Sequence, residues 1–365
     1  MLTTRHQALF DRHVAAARAL LPDGLRIWDA HTHLGLDEDG FSQDVGAQLD
    51  DMRAHGIERA FTFALNDPER APAYRTPNDR VLSWAAASGG MLVPFCRLDM
   101  SDGPLDEARR CLALGARGIK LHPRAQGFDF DEAALRPVFE LAAEHRVPIL
   151  IHAGRGLPPI AEQLRHLVER HPEAQLILAH AAIADLEHVA RVLTDHPNVV
   201  YDTSVWSATD LHALLAAVAP EQILFASDTP YGTHPVGLVQ LAQALHAAGA
   251  GTAVTAAMFW DNAERVADGR PAAAMSPPLL PGGGRLSYRR LRVIEYLAMA
   301  VALVWMQQDD TPGAINLALC ACDPSSDDGL KDAAELIEAA GELGHEDQLD
   351  CLHMIQLAQS LVLSS

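Results

Sequence analysis

Two histidines one residue apart, His31 and His33, lie near the end of the segment RIWDAHTHLG (26–35). Residues two apart on an extended strand project to the same side, so both imidazoles can bind one ion. Further along, His152 lies in LIHAG, His180 in LAHA and Asp228 in ASDTP, each within a few residues of the end of an apolar run. A buried ionisable group at such a strand end is costly, and a cation or a hydrogen-bond network offsets that cost. One such residue is ordinary structure. Four histidines and an aspartate meeting on one rim would be a site. Lys120 and His122, also two apart, add a pair on a further run; of the 28 basic residues only Lys120 and Lys331 are lysines.

These residues must be placed by the elements that carry them. From about residue 26 to 266 the chain alternates short apolar runs with helical periodicity. The runs are 26–35, 59–65, 91–100, 115–123, 147–154, 174–181, 198–205 and 222–230. Each is rich in Val, Ile, Leu or aromatic residues and ends at Gly, Pro, Asp or Asn, the pattern of a buried parallel strand. Eight strands, each followed by a helix, close a (β/α)8 TIM barrel. An open doubly wound sheet is the alternative, but no glycine-rich dinucleotide fingerprint follows the first run. In a barrel the strand C-termini share one face, where the active site sits. Residues 1–268 are thus expected to form a barrel, 269–285 a Pro/Gly-rich linker, and 286–365 a C-terminal all-α domain of four helices. The apolar stretch Tyr296–Met306 is too short for a membrane span and fits a bundle helix.

The order His-x-His, His, His, Asp on the first, fifth, sixth and eighth runs resembles the amidohydrolase superfamily of metal-dependent barrels. The phrases WDAHTHLG, GIKLHP, ILIHAG, LILAHA and FASDTPYG are most similar to its amidohydrolase-related branch, which includes aminocarboxymuconate-semialdehyde decarboxylase, resorcylate-type decarboxylases and lactonases. FWDNAERV (259–266) resembles the branch's final helix. The resemblance covers roughly residues 26–266; residues 285–365 carry none. It implies that His31, His33 and His152 are metal ligands, that Asp228 is a ligand or partner of a metal-bound water, and that His180 is an acid/base or electrophile. Such ligands suit one divalent metal, zinc above all, with manganese or iron as alternatives. An open coordination position would lower the pKa of water to near 7. Asp228 would take and return the proton, and a protonated His180 would stabilise an oxyanion. In binuclear members of the superfamily a lysine at the place of Lys120 is carbamylated and bridges two metals. Lys120 and His122 are therefore candidates for a second metal or for substrate, and the single-metal reading is preferred.

Substrate-facing candidates are Trp28, just before the ligands, Arg124 and Arg155 on the loops after the fourth and fifth runs, Trp206 after the seventh, and Tyr231 and His234 after the eighth. Two guanidiniums there could hold a carboxylate by bidentate pairing. The function expected is metal-dependent hydrolysis of a small ester, lactone or amide. The alternatives are non-oxidative decarboxylation of a small carboxylic acid on the same residues, and a catalytically silent barrel whose helical domain serves assembly or regulation. A homodimer through the helix around Ala298–Trp305 is a further hypothesis.

Composition excludes other classes. A formal charge of 28 − 48 = −20 offers no basic footprint for nucleic acid. Five scattered cysteines make no disulfide scaffold, and the N-terminal segment lacks a signal peptide's unbroken apolar stretch, so a reducing, cytoplasmic setting without membrane partners is expected. The acidic stretch 36–44 places Gly40 at the wrong offset for a calcium loop and is expected to lead into a helix. His345, Cys351 and His353 are spaced too irregularly for a metal site on one helix face.

Overall fold

The computed structural model describes residues 3–130, 132–280, 286–322, 328–344 and 347–364. Eight parallel strands follow one another in sheet order: β1 (Trp28–Leu36), β2 (Arg59–Ala64), β3 (Leu92–Arg97), β4 (Gly118–Leu121), β5 (Ile149–Ile151), β6 (Leu176–Leu178), β7 (Val199–Asp202) and β8 (Ile223–Leu224). Each falls inside one of the eight apolar runs or overhangs it by a residue. The sheet closes where the chain beyond β8 returns to β1. Ala30 N donates to Phe225 O (2.8 Å), Asp228 N to His31 O (2.9 Å) and His33 N to Thr229 O (2.8 Å), with a parallel bridge between Thr32 and Thr229. The predicted barrel is the observed one, and closure stitches the His-x-His segment directly to the segment of Asp228.

The strands read as apolar on both sides because both sides are buried. Ile119, Ile149, Ile151 and Leu176 pack outward against the surrounding helices. Trp28, Phe61, Phe95, Leu150, Ile177 and Leu224 fill the inside. The acidic stretch after β1 makes a two-residue antiparallel strand, Ser42–Gln43, and then a helix, Val45–Ala54. The Asp44 side chain caps that helix by accepting from Gly46 N and Ala47 N.

A second apolar cluster lies beside the barrel. It joins α1 (Thr4–Arg18), α2 (Ala208–Ala217), α3 (His234–Ala247), α4 (Tyr288–Trp305), α5 (Thr311–Ala321), α6 (Asp328–Leu343) and α7 (Gln348–Ser364) through their packing. The four C-terminal helices match the sequence expectation. The helix α1 does not follow from any motif, and it belongs to this layer rather than to the barrel's ring. Phe10, Val14 and Ala17 pack into the cluster, and Arg5 and Arg12 pair with Glu342 (2.9 Å) and Glu335 (2.5 Å) of α6. Of the Pro/Gly-rich segment, residues 269–280 lie along the barrel, with Ala272 N on Pro197 O and Leu280 N on Leu215 O; 281–285 fall outside the described residues. His345 also falls outside them. No helix among the described residues is long and apolar enough to cross a membrane.

Candidate metal centre

The first seven residues of β1 are all buried, so the strand carries His31 and His33 into the barrel mouth with almost no solvent-exposed surface. His31 Nδ1 lies 2.7 Å from Asp202 Oδ2, at the end of β7. The other oxygen of Asp202 accepts from His180 N (2.8 Å), Ser204 N (3.1 Å) and Ser204 Oγ (2.5 Å). The carboxylate thus takes the Nδ1 proton of His31 as an acceptor, and the Nε2 lone pair turns inward. His180 is fixed the same way. Its Nδ1 donates to the Ser204 carbonyl (2.8 Å), which leaves a lone pair on Nε2, 3.0 Å from His152 Nδ1.

The inward atoms crowd one point. His31 Nε2 lies 3.2 Å from His33 Nε2, 3.2 Å from Lys120 Nζ and 3.3 Å from Asp228 Oδ1, and His33 Nε2 is 3.2 Å from the same oxygen. One ligand atom each from His31, His180 and Asp228 falls within 4.8 Å of the others. Burial pushes His31, His33, His122 and His152 well below the usual imidazole range, and nearby cations or protonated imidazoles add to the effect. Burial lowers His180 as well, with Asp202 opposing. Burial also drives Asp228 well above the usual carboxylate range, against the pull of Lys120. Lys120 is pushed down to about 7, first by burial and then by Arg97. Without a cation every group here prefers neutrality, and neutral imidazoles keep the lone pairs that a metal needs.

Two buried nitrogens, His33 Nδ1 and His152 Nε2, have no hydrogen-bond partner among the described residues. A buried polar atom without a partner asks for one, and beside this cluster of nitrogens and a carboxyl an ion or water would supply it. The donor set of imidazoles and one carboxylate fits a divalent ion.

Backbone conformation marks two further positions of the cluster. His180 (φ 56°, ψ 42°) and Asp228 (φ 62°) are left-handed. For a residue with a Cβ this costs roughly 1–2 kcal/mol, and such strain gathers at functional sites. Gly154 serves the cluster by having no side chain, since a Cβ there would meet the rings of His152 and His180 at 2.9 Å.

The other predicted residues divide. His122 stacks on His152 (3.9 Å, 9°) and its Nδ1 accepts from Ala125 N, capping a short helix. Arg124, Arg155, Trp206 and Tyr231 line a cavity of about 710 Å³ that opens over the histidine cluster. Arg155 is committed to Asp210 (2.7 Å), whereas Arg124 has no ion pair among the described residues. Tyr231 donates to Asp37 (2.6 Å) and sets its ring edge-on to His33 (5.4 Å, 89°). Trp28 is not a cavity residue. It begins β1, three positions before His31, and packs inside the barrel against Phe61 and Trp260. His234 is buried between Asp29 (3.4 Å) and Asp51 (2.5 Å), away from the cavity.

Three residues of the site escaped sequence reasoning in their roles. Asp202 is the orienter of His31 and His180, and Ser204 assists it. Arg97, at the end of β3, is 2% exposed, lines the cavity, and leaves Nε and Nη2 without partners among the described residues. Asp202 ends NVVYD and Arg97 lies in PFCR, so the strand-end rule that found the histidines applied to both.

The amidohydrolase family matches residues 28–267 of the chain. Among solved structures, 2,6-dihydroxybenzoate decarboxylase from Rhizobium is 17% identical, with 66% of this chain and 98% of that one covered at a TM-score of 0.52. The 4-oxalomesaconate hydratase from Rhodopseudomonas palustris is 17% identical over 67% and 96%, TM-score 0.52. A probable 2-pyrone-4,6-dicarboxylic acid hydrolase from Acinetobacter baumannii is 11% identical over 66% and 99%, TM-score 0.51. At these identities the likeness is one of fold. No curated protein matches the chain.

Proposed function

The chain belongs to the amidohydrolase family, and on that premise we propose that it is a metal-dependent hydrolase of a small ester, lactone or amide. The observation that carries the proposal is the inward lone pair of His31, fixed by the 2.7 Å bond to Asp202, in a cluster with His180 and Asp228. His31, His33, Asp228 and one of His152 or His180 would hold one divalent ion. Such an ion polarises a carbonyl and brings the pKa of water toward neutrality.

The chain's own residues would do the rest. Asp228, in a dry setting that favours its protonated form, would accept a proton from water and return it to the leaving group. His180, held at Nδ1 by Ser204, would present Nε2 to the oxygen that gains charge. Arg97 and Arg124 supply positive charge to the cavity beside the cluster.

Decarboxylation is the second reading, and the unpaired guanidinium nitrogens of Arg97 favour it, because they suit a substrate carboxylate. Decarboxylases are also among the similar folds. The test is elemental analysis of protein purified without chelator, beside a His31→Asn variant, followed by a pH-stat and CO2 screen of lactones, esters and carboxylic acids. One equivalent of zinc or manganese per chain, lost in the variant, with acid released from a lactone or ester, is expected. CO2 release would move the assignment to decarboxylation. A protein that takes up no metal on titration would sink both.

A further inference from the structure

The family match ends at residue 267, yet the wall of the cavity does not. The helix α4 presents two apolar faces. Val293, Leu297, Ala300 and Val304 are fully buried in the helical layer. Ala298, Val301, Ala302 and Trp305, spaced at three and four residues, line the same cavity as His31, His180 and Asp228. This spacing defines one helix face. It also explains why Tyr296–Met306 is apolar nearly all round: one side serves the bundle and the other serves the barrel mouth.

The wall is anchored rather than draped. Trp305 meets Trp206 edge-on at 4.2 Å. From α7, Gln356 Nε2 donates to Trp206 O (3.2 Å), and Gln359 Oε1 accepts from Ser207 Oγ (3.2 Å) and Ala208 N (3.4 Å). The segment so gripped begins at Asp202 and Ser204, which orient His31 and His180. Among the described residues, no other helix of the C-terminal layer brings an apolar stripe into the lining. The polar end of the lining includes Arg97, fully buried, with two nitrogens unpartnered among the described residues.

We infer that α4 is the specificity wall of the catalytic cavity, and that the ligand is a small organic anion carrying an apolar arm, its head on Arg97 and its arm against Ala298, Val301, Ala302 and Trp305. The inference shares the site of the proposed hydrolase but not its reaction, so it can be tested by binding alone. Pocket contacts with each added methylene discriminate by about tenfold or more when the fit is close, so a length series reads the wall directly.

The experiment is isothermal titration of the full-length, metal-loaded protein with acetate, butanoate and hexanoate. Wild type is expected to bind hexanoate at least about tenfold more tightly than acetate. Trp305→Ala should reduce that ratio severalfold while leaving acetate unchanged. Ala302→Trp, at an exposed position that the bundle does not need, should exclude hexanoate and keep acetate and metal content. Arg97→Met should weaken both acids together. An unchanged hexanoate-to-acetate ratio in both wall variants overturns the inference, as does a wild type that binds neither acid. A change of oligomer size on Ala302→Trp with the ratio intact would also overturn it, making the stripe a contact between copies. Length-dependent binding without any hydrolysis would sink the proposed reaction and leave the wall standing.

Discussion

Trp28 and His31 stand three residues apart on one strand, 2% and 0% exposed, and their surroundings ask for opposite things. Around Trp28 the barrel interior is an aromatic stack: Phe61 at 5.1 Å, Trp260 at 5.2 Å, and Phe95 beyond Phe61 at 4.8 Å. Apart from the two indole N–H groups, packing alone satisfies that tier. One tier higher the same burial holds four imidazoles, the Lys120 amine and a carboxyl within a few ångströms, with nitrogens left over. Equal burial therefore does not distinguish core from site. The kind of unmet demand does: among the described residues the lower tier leaves two indole N–H donors unpaired, whereas the upper one gathers imidazole nitrogens around a carboxyl, a set that a cation would complete.

The comparison can be broken most sharply at Asp228. Asp228→Asn keeps the shape and removes the proton acceptor, so turnover should fall about 10²–10⁴-fold in steady-state assays, with the circular dichroism unchanged. A variant within threefold of wild type would return Asp228 to the structural tier. Phe61→Ala should do the converse. It should cost about 3–5 kcal/mol of unfolding free energy in denaturant titrations while metal per chain stays the same; loss of metal would show that the tiers are not separable.

Chelation addresses the upper tier alone. At free metal a hundredfold above its dissociation constant, stripping it should lower apparent stability by about 2.7 kcal/mol, and the His31→Asn chain should show no such drop. Equal drops in both would place the metal elsewhere. The smallest effect concerns burial without any ligand. His353, in α7, is held down to about 4 by burial. Its folded pKa lies below the unfolded value, so the unfolded chain takes the proton first, and stability is lost as pH falls from about 6.5 toward 4. At pH 5.5 that amounts to roughly 1.4 kcal/mol. His353→Leu should therefore lose less stability than wild type between pH 7.5 and 5.5 by about 1 kcal/mol; parallel losses would show that the imidazole titrates freely in the fold.

The sequence made the upper tier legible because ionisable residues at the ends of apolar runs violate the pattern around them. His31, His33, His152, His180 and Asp228 each break a run that is otherwise Val, Ile, Leu and Ala. Arg97 and Asp202 break theirs in the same manner, but an arginine or aspartate at a strand end also reads as an ordinary turn residue. Trp28 was ambiguous for a different reason: an aromatic near ligands fits a substrate contact or a core, and only the tier in which it falls decides. The second face of α4 was hidden because helical periodicity reports that a side is apolar, not which of two neighbours it meets. Helix α1 carries no chemistry and left no motif to find.

The pairing of α1 with α6 sets an order of assembly. Arg12 and Glu335 are separated by 323 residues, so this ion pair must wait for the synthesis of everything between them. At roughly 5–20 residues per second the wait lasts tens of seconds. Phe10, Val14 and Ala17 share their cluster with Val236, Val239 and Ala242 of α3, so α3 is the surface that α1 can meet before the C-terminal helices exist. The face of α1 is therefore covered in two stages, first by α3 and then by α6, and how long it stays exposed to chaperones and to aggregation depends on translation time as well as on the stability of the finished fold.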